Sequence, residues 1–352
     1  MTIIYFLLLL SVIIIIHELG HLIAAKYFHV YCYEFSFGMG PLLWKKQGKE
    51  TQYSIRALPI GGYVAMAGDE TNQEVYPDIE VPADRTLPSK PWWQKIIIML
   101  AGVTMNFILA FLIFSLVMLS YGEINGTPRA VVGEVVASTP AEKAGLQNGD
   151  VIVELHKDNG ESTKPTTFMD LQEFFFGYEG VETYVVERNG ETLTFDVQPE
   201  YNEESNSYLI GIRAEETDSI KINLLNCWGY GLNHMANMTK SMLRTLANLF
   251  RGRGLNQLSG PVGIYQAAGT YASQGLRVFL QLIAMLSLNV GIFNLLPLPV
   301  LDGGQVVITL IEAAIQKELS EKLKVAVMSV CWIVLIGLMV FVTWNDIVRI
   351  LQ

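Results

Sequence analysis

The chain has 352 residues, of which 51% are hydrophobic and only 16% charged, against roughly 25% charged in an ordinary soluble domain. Its formal net charge of -10 excludes nucleic acid as a partner, because phosphate binding needs clustered Lys and Arg. The length allows two or three domains, and much of the acidic charge falls between Gly122 and Glu216, in what reads as a water-exposed part.

The first apolar segment runs from Ile3 to Phe28 and carries Ile13-Ile14-Ile15-Ile16-His17-Glu18-Leu19-Gly20-His21. It is long enough to cross a bilayer. No basic residue precedes it, the first positive charge is Lys26, and no small-residue cleavage site follows. It therefore reads as a retained membrane helix rather than a signal peptide. Lys26, Lys45, Lys46 and Lys49 lie after it, so the positive-inside rule puts the N-terminus outside.

From Phe35 to Asp69 the chain is punctuated by Gly38, Gly40, Pro41, Gly48, Pro59, Gly61 and Gly62, which rule out a helix. Thr51 to Ile55 reads as a short strand, and the region as one or two β-hairpins. Such a hairpin either offers its edge to an extended peptide or merely connects helices.

A second apolar segment, Ile96 to Tyr121, is entered through Pro91-Trp92-Trp93-Gln94-Lys95, an interface-like belt of aromatics and a cation. Within it Gly102 and Asn106 are four apart, a spacing that lets helices approach closely. Packing is the reading here, with Asn106 also a candidate to bond a neighbouring ligand.

From Thr127 to Pro199 the pattern is that of a compact soluble domain. Ala130–Val136 reads as a strand and Phe168–Phe176 as a helix. Arg188-Asn189-Gly190-Glu191 is read as a type I′ hairpin turn between strands Thr183–Glu187 and Thr192–Gln198, because Asn-Gly tolerates the positive φ angles required. Ile222 to Phe250 repeats apolar residues every three or four positions. It is an amphipathic helix, with Lys240, Arg244, Arg251 and Arg253 toward its end. It lies on the membrane surface or packs on the rest of the protein.

The segment Leu276 to Val300 is apolar but irregular. It contains Asn289, Asn294, Pro297 and Pro299 and runs into Leu301-Asp302-Gly303-Gly304. A broken helix at membrane depth is tolerated only where it is buried in protein or lines a polar cavity. A last apolar segment spans Val325 to Trp344. Four passes return the C-terminus to the outside. They also bring His21 and Asp302 to the same, cytoplasmic side. The three cysteines, Cys32, Cys227 and Cys331, form no motif and read as packing residues.

His-Glu-x-x-His on a helix puts both imidazoles on one face, where a single zinc accepts them. Glu18 lies beside the metal rather than on it, placed to move protons. Charged groups at the bilayer centre cost about 2.5–3.5 kcal/mol each, so the motif demands a functional reason. A catalytic zinc has three protein ligands and one open position. His29, His156 and His234 read as loop or soluble-part residues. Asp302, followed by two glycines that permit close backbone approach, is chosen as the third ligand; the alternative is a cap or turn residue. The rival functions are a membrane scaffold with a structural zinc site and a metal transporter.

The ordered set of motifs resembles the site-2 protease family of intramembrane zinc metalloproteases, and within it the bacterial membrane proteases that regulate sigma factors. It comprises His17-Glu18-Leu19-Gly20-His21, Phe37-Gly38-x-Gly40-Pro41, Leu58-Pro59-x-Gly61-Gly62-Tyr63-Val64, Ala101-Gly102 to Asn106, and Asn294 through Pro297 and Pro299 to Leu301-Asp302-Gly303. The resemblance implies a polytopic α-helical membrane protein with about four transmembrane helices, a membrane-associated β-hairpin region and an inserted α+β PDZ domain, circularly permuted. The strand Val131–Val135 would border the PDZ groove, with peptide C-termini as its ligands. It also implies Zn2+ held by His17, His21 and Asp302, with Glu18 catalytic. Asn294 and Asn289 would hold the substrate backbone, and the hairpin, including Gly61 and Gly62, would pair with the substrate strand. The substrates implied are single-pass membrane proteins in the bacterial plasma membrane, such as anti-sigma factors or remnant signal peptides. Two departures are Val103, where the family usually has proline, and one PDZ domain where some members have two. The expected partition is 1–30 for the first span, 31–90 for the hairpin and re-entrant region, 91–121 for the second span and 122–215 for an extracytoplasmic PDZ domain. An amphipathic helix and linker follow over 216–275, then the third span over 276–304 and the last span with the C-terminus over 305–352.

Overall fold

The computed structural model describes residues 1–68, 75–76, 79–175, 178–202, 207–250 and 260–351. Asp69, Phe176, Arg251 and Arg253 of the sequence reading lie outside the described residues. Among the described residues four helices are long and apolar enough to cross a membrane: α1 (Thr2–Tyr27), α2 (Trp92–Tyr121), α7 (Leu276–Asn294) and α9 (Glu321–Leu351, of which Glu321–Val348 qualifies). The protein is a polytopic membrane protein. The chain divides into two compact units, one of Met1–Ser120 with Leu224–Gln352 and one of Tyr121–Asn223.

In the first unit, β1 (Cys32–Gln47) and β2 (Gln52–Met66) are long antiparallel strands. Positive φ at Gly38, Gly40 and Gly61 bends them without ending them, a conformation glycine takes at no steric cost. Each strand therefore pairs twice. Residues 42–47 pair with 52–56, residues 52–55 also pair with 34–37, and the other side of 34–37 pairs with 62–65. The sheet order is thus 42–47, 52–56, 32–37, 62–66, which among the described residues leaves 62–66 at one edge of the sheet. Glu34 is fully buried at its centre. Arg56 and the hydroxyls of Ser54, Tyr63 and Tyr76 all donate to its carboxylate.

The break foreseen in the third apolar segment begins after Asn294. Residues 295–301 are non-helical, and α8 (Asp302–Ile315) starts at the aspartate itself. Gly303 and Gly304 let its first turn press on the backbone: a methyl on Gly303 would lie 2.7 Å from the Leu296 carbonyl oxygen, and one on Gly304 2.5 Å from the Pro299 nitrogen. The unit also contains α5 (Cys227–Phe250) and α6 (Pro261–Ser273). The amphipathic α5 packs on the bundle. Its Met235, Met238 and Met242 meet the cluster of Ala110, Phe114, Ala284, Leu288 and Ile292. His234, read from the sequence as loop or soluble, is on α5 with its ring 4.8 Å from that of Phe114. The packing explains the difference, since the helix continues through the histidine to cover α2.

The second unit is built on a four-stranded antiparallel sheet in the order β6 (Ser162–Thr163), β5 (Val151–Lys157), β7 (Glu182–Arg188), β8 (Glu191–Val197). Short pairs β4 (Val132–Val135) with β11 (Ile212–Ala214), β9 (Glu200–Asn202) with β10 (Ser207–Leu209), and β3 (Glu123–Asn125) with β12 (Ser219–Lys221) accompany it. Two short helices, α3 (Pro140–Ala144) and α4 (Phe168–Phe174), close it. Asn189 and Gly190 both have positive φ, as a type I′ turn requires. Thr167 and Asp170 form a capping box at the start of α4. The core comprises Val132, Ile152, Leu155, Phe168, Leu171, Tyr184, Val186 and Val197.

Candidate metal centre

His17 and His21 lie one turn apart on α1 and are both buried, so their rings face the same side. They meet α2, and the contact is possible because two glycines face each other there. A methyl on Gly20 would lie 2.6 Å from the Ala101 carbonyl carbon, and one on Gly102 would lie 2.8 Å from the Cε1 atoms of both imidazoles and closer still to His21 Nε2. The first residue of α8, Asp302, points into the same place. Its Oδ2 is 3.2 Å from His17 Nε2 and 3.5 Å from His21 Nε2, and the two Nε2 atoms are 3.2 Å apart.

These separations test whether a metal fits. Tetrahedral zinc with bonds of about 2.0–2.1 Å places its ligand atoms about 3.3–3.4 Å apart. The observed triangle of 3.2, 3.2 and 3.5 Å matches. Asp302 Oδ2 is buried and, among the described residues, faces no partner but the two imidazole nitrogens, where a buried carboxylate oxygen normally has a donor. His21 Nδ1 is 2.8 Å from the Ile98 carbonyl oxygen. As donor there, it leaves the Nε2 lone pair free to face the other two donor atoms. The residues fit a zinc with one position open.

A cavity of about 470 Å3 adjoins the triangle. Glu18, Asn294, Val64 and Met66 line it together with His17, His21 and Asp302. Thus the edge strand 62–66 borders the same space as the three donors. Gly62 stands beside α1, with the Glu18 Cγ 3.7 Å from where its methyl would be. Ser11 donates to the Pro59 carbonyl at 3.2 Å, which ties β2 to α1. Gly61, with φ of 92°, faces Met39. Asn289 is on α7 but outside the cavity lining. The sequence reading missed Ile98 and Gly20. No residue type could mark the first, since it acts through its backbone. The second was legible as the small residue inside the His-Glu-Leu-Gly-His motif.

The chain matches peptidase family M50 over residues 5–338. It belongs to that family. Among its relatives, the regulator of sigma-W protease RasP of Bacillus subtilis is 32% identical, with 99% of each chain covered. The zinc metalloprotease RasP of Shouchella clausii is 30% identical over 99% of each chain. A protein of Clostridium perfringens is 36% identical, again with 99% of each covered. The chain is an intramembrane zinc metalloprotease.

Proposed function

We propose that the protein cleaves the membrane-spanning segments of single-pass proteins at the His17–His21–Asp302 centre. The observation that carries this is the convergence of three metal-donor atoms, a carboxylate and a sheet edge on one cavity between apolar helices. His17, His21 and Asp302 hold the zinc. When bound, zinc supplies Lewis acidity that polarises a carbonyl and makes water easier to deprotonate. Glu18 takes the proton of the attacking water and passes it to the departing amide nitrogen. A helical peptide bond hides its carbonyl in the hydrogen-bond ladder, so the substrate must unwind. The edge strand 62–66, with Gly61 and Gly62 at its entry, offers replacement backbone pairing. Asn294 offers a side-chain amide to the same stretch. Asn289 would act only through α7.

Exposed apolar side chains on the hairpin, Leu42, Leu43, Trp44, Ile55 and Leu58, support its contact with lipid. The second unit, with its small sheet and two short helices, supports a PDZ-like module that takes peptide C-termini. The name of the Bacillus relative favours an anti-sigma factor over a remnant signal peptide as substrate. The lysines after α1 support a bacterial plasma-membrane orientation with both termini outside and the site near the cytoplasmic face.

The test is cleavage of a single-span substrate by the purified protein in liposomes. The expected result is cleavage within the span that a chelator abolishes and zinc restores. Glu18→Gln keeps about one zinc per chain and loses at least ~100-fold in rate, the scale of general acid–base catalysis. Wild-type rates in Glu18→Gln would overturn the assignment. Zinc bound without any cleavage would point to a scaffold, and zinc uptake into the liposomes to a transporter.

A further inference from the structure

His21 has an evident partner for its second nitrogen, the Ile98 carbonyl. The second nitrogen of His17 faces a side chain instead. Its Nδ1 is 3.2 Å from the side-chain amide nitrogen Nδ2 of Asn106, which is fully buried on α2. We propose that Asn106 is a positioning residue that sets the tautomer of His17: its side-chain carbonyl accepts the Nδ1 hydrogen, which leaves Nε2 as the metal donor. The inference rests on the reading of His17 as a zinc ligand.

A neutral imidazole carries one N–H and one lone pair. If the Asn106 amide nitrogen donates to Nδ1, the hydrogen of His17 must sit on Nε2, the atom that faces Asp302 and His21. That tautomer blocks the metal. The two ends of a carboxamide exchange by a half-turn of its terminal torsion, and the hydrogen-bond network decides between them. Among the described residues the far oxygen has no donor beside it, so the half-turn gives up no hydrogen bond there. With oxygen toward His17, Nδ1–H donates and Nε2 is free. A ligating histidine generally has such an acceptor behind it.

The surroundings hold Asn106 in place. Ser287 of α7 donates to its backbone carbonyl at 3.0 Å, and its Cβ lies beside Gly291 of the same helix. Ile98, Gly102 and Asn106 are spaced by four on one face of α2. That stripe therefore presents an acceptor for His21, a bare backbone for both rings and an acceptor for His17.

The test uses the full chain in detergent and reads zinc affinity by competition with a chelating dye. Asn106→Leu keeps the branched shape with somewhat more volume and removes the acceptor; it should weaken zinc binding 10–100-fold. Asn106→Asp keeps an acceptor oxygen and should stay within about threefold of wild type on the same reasoning. A packing role alone would leave both variants near wild type. If Asn106→Leu binds zinc as wild type does, or Asn106→Asp loses as much as Asn106→Leu, the proposal is overturned. His17→Ala separates the two readings. Full affinity there removes His17 from the metal centre and overturns both, whereas lost affinity there with an unaffected Asn106→Leu overturns only the positioning role. An independent readout needs no variant: nitrogen shifts of 15N-histidine in metal-free wild type should show His17 protonated at Nδ1, and protonation at Nε2 contradicts the proposal.

Discussion

A methyl group on Gly102 would sit 2.8 Å from carbon atoms of both imidazoles, closer than packed carbon atoms approach. Either the rings turn or α2 retreats from α1, and each spoils the donor triangle. Gly102→Ala should therefore lower zinc affinity at least about tenfold, while overpacking costs about 1–3 kcal/mol of stability. Dye competition and thermal unfolding of the purified variant measure the two effects; wild-type zinc affinity would show that the rings have slack. The spacing of His17 and His21 was legible because four residues make one helical turn. Asp302 was legible because a broken apolar helix is costly and few other donors existed. Gly102 was legible as a small residue, but its partner was not: a glycine announces a close approach without saying to what. Ile98 left no trace in the sequence, since every residue has a carbonyl.

Among the elements, the apolar runs showed themselves by length alone, because nothing but a membrane helix needs some 20 such residues. The hairpin was only partly legible. Thr51–Ile55 read as a strand, and glycines and prolines around it read as stops. In the structure Gly38, Gly40 and Gly61 take positive φ and act as bends, so two long strands make a sheet with an edge at 62–66. Its keystone is Glu34, which draws donors from 54, 56, 63 and 76 onto one carboxylate. Burial pushes the Glu34 carboxyl up, but the hydrogen bonds from Ser54, Tyr76, Arg56 and Tyr63 outweigh it and hold the group below the usual range. The stability it lends is thus present above the carboxylate's unfolded pKa and is lost as pH falls through the folded value. Arg56→Met would leave that buried charge without its cation, at a cost of about 3–5 kcal/mol. Amide exchange across 52–66 should accelerate and cleavage should fall, with zinc content unchanged. Unaltered exchange would mean that the other three donors suffice.

For the whole molecule the open quantity is its orientation in the membrane. α8 has 14 residues, about 21 Å of helix at 1.5 Å per residue, too short for a hydrocarbon core of about 30 Å. It therefore adds no crossing, and four spans put both termini on one side. The donor triangle joins the C-terminal half of α1 to the start of α8, so the chain after α1 and the chain after α7 emerge at the same end of the bundle. Lys45, Lys46, Lys49 and Lys90 belong to the first of these, flanked by Lys26 in the last turn of α1 and Lys95 in the first turn of α2, and Lys317, Lys322 and Lys324 belong to the second. Basic residues concentrate on the cytoplasmic side, so the proposed orientation has that end facing the cytoplasm. Single cysteines at two exposed positions, Lys49→Cys and Lys164→Cys, decide it in a chain whose partly exposed Cys331 is replaced by serine. Cys32 and Cys227 are buried and stay silent. A membrane-impermeant maleimide on intact cells should label Lys164→Cys at once and Lys49→Cys only after permeabilisation. The opposite pattern would put the zinc centre near the outer face, and the substrate would then have to unwind from its other end.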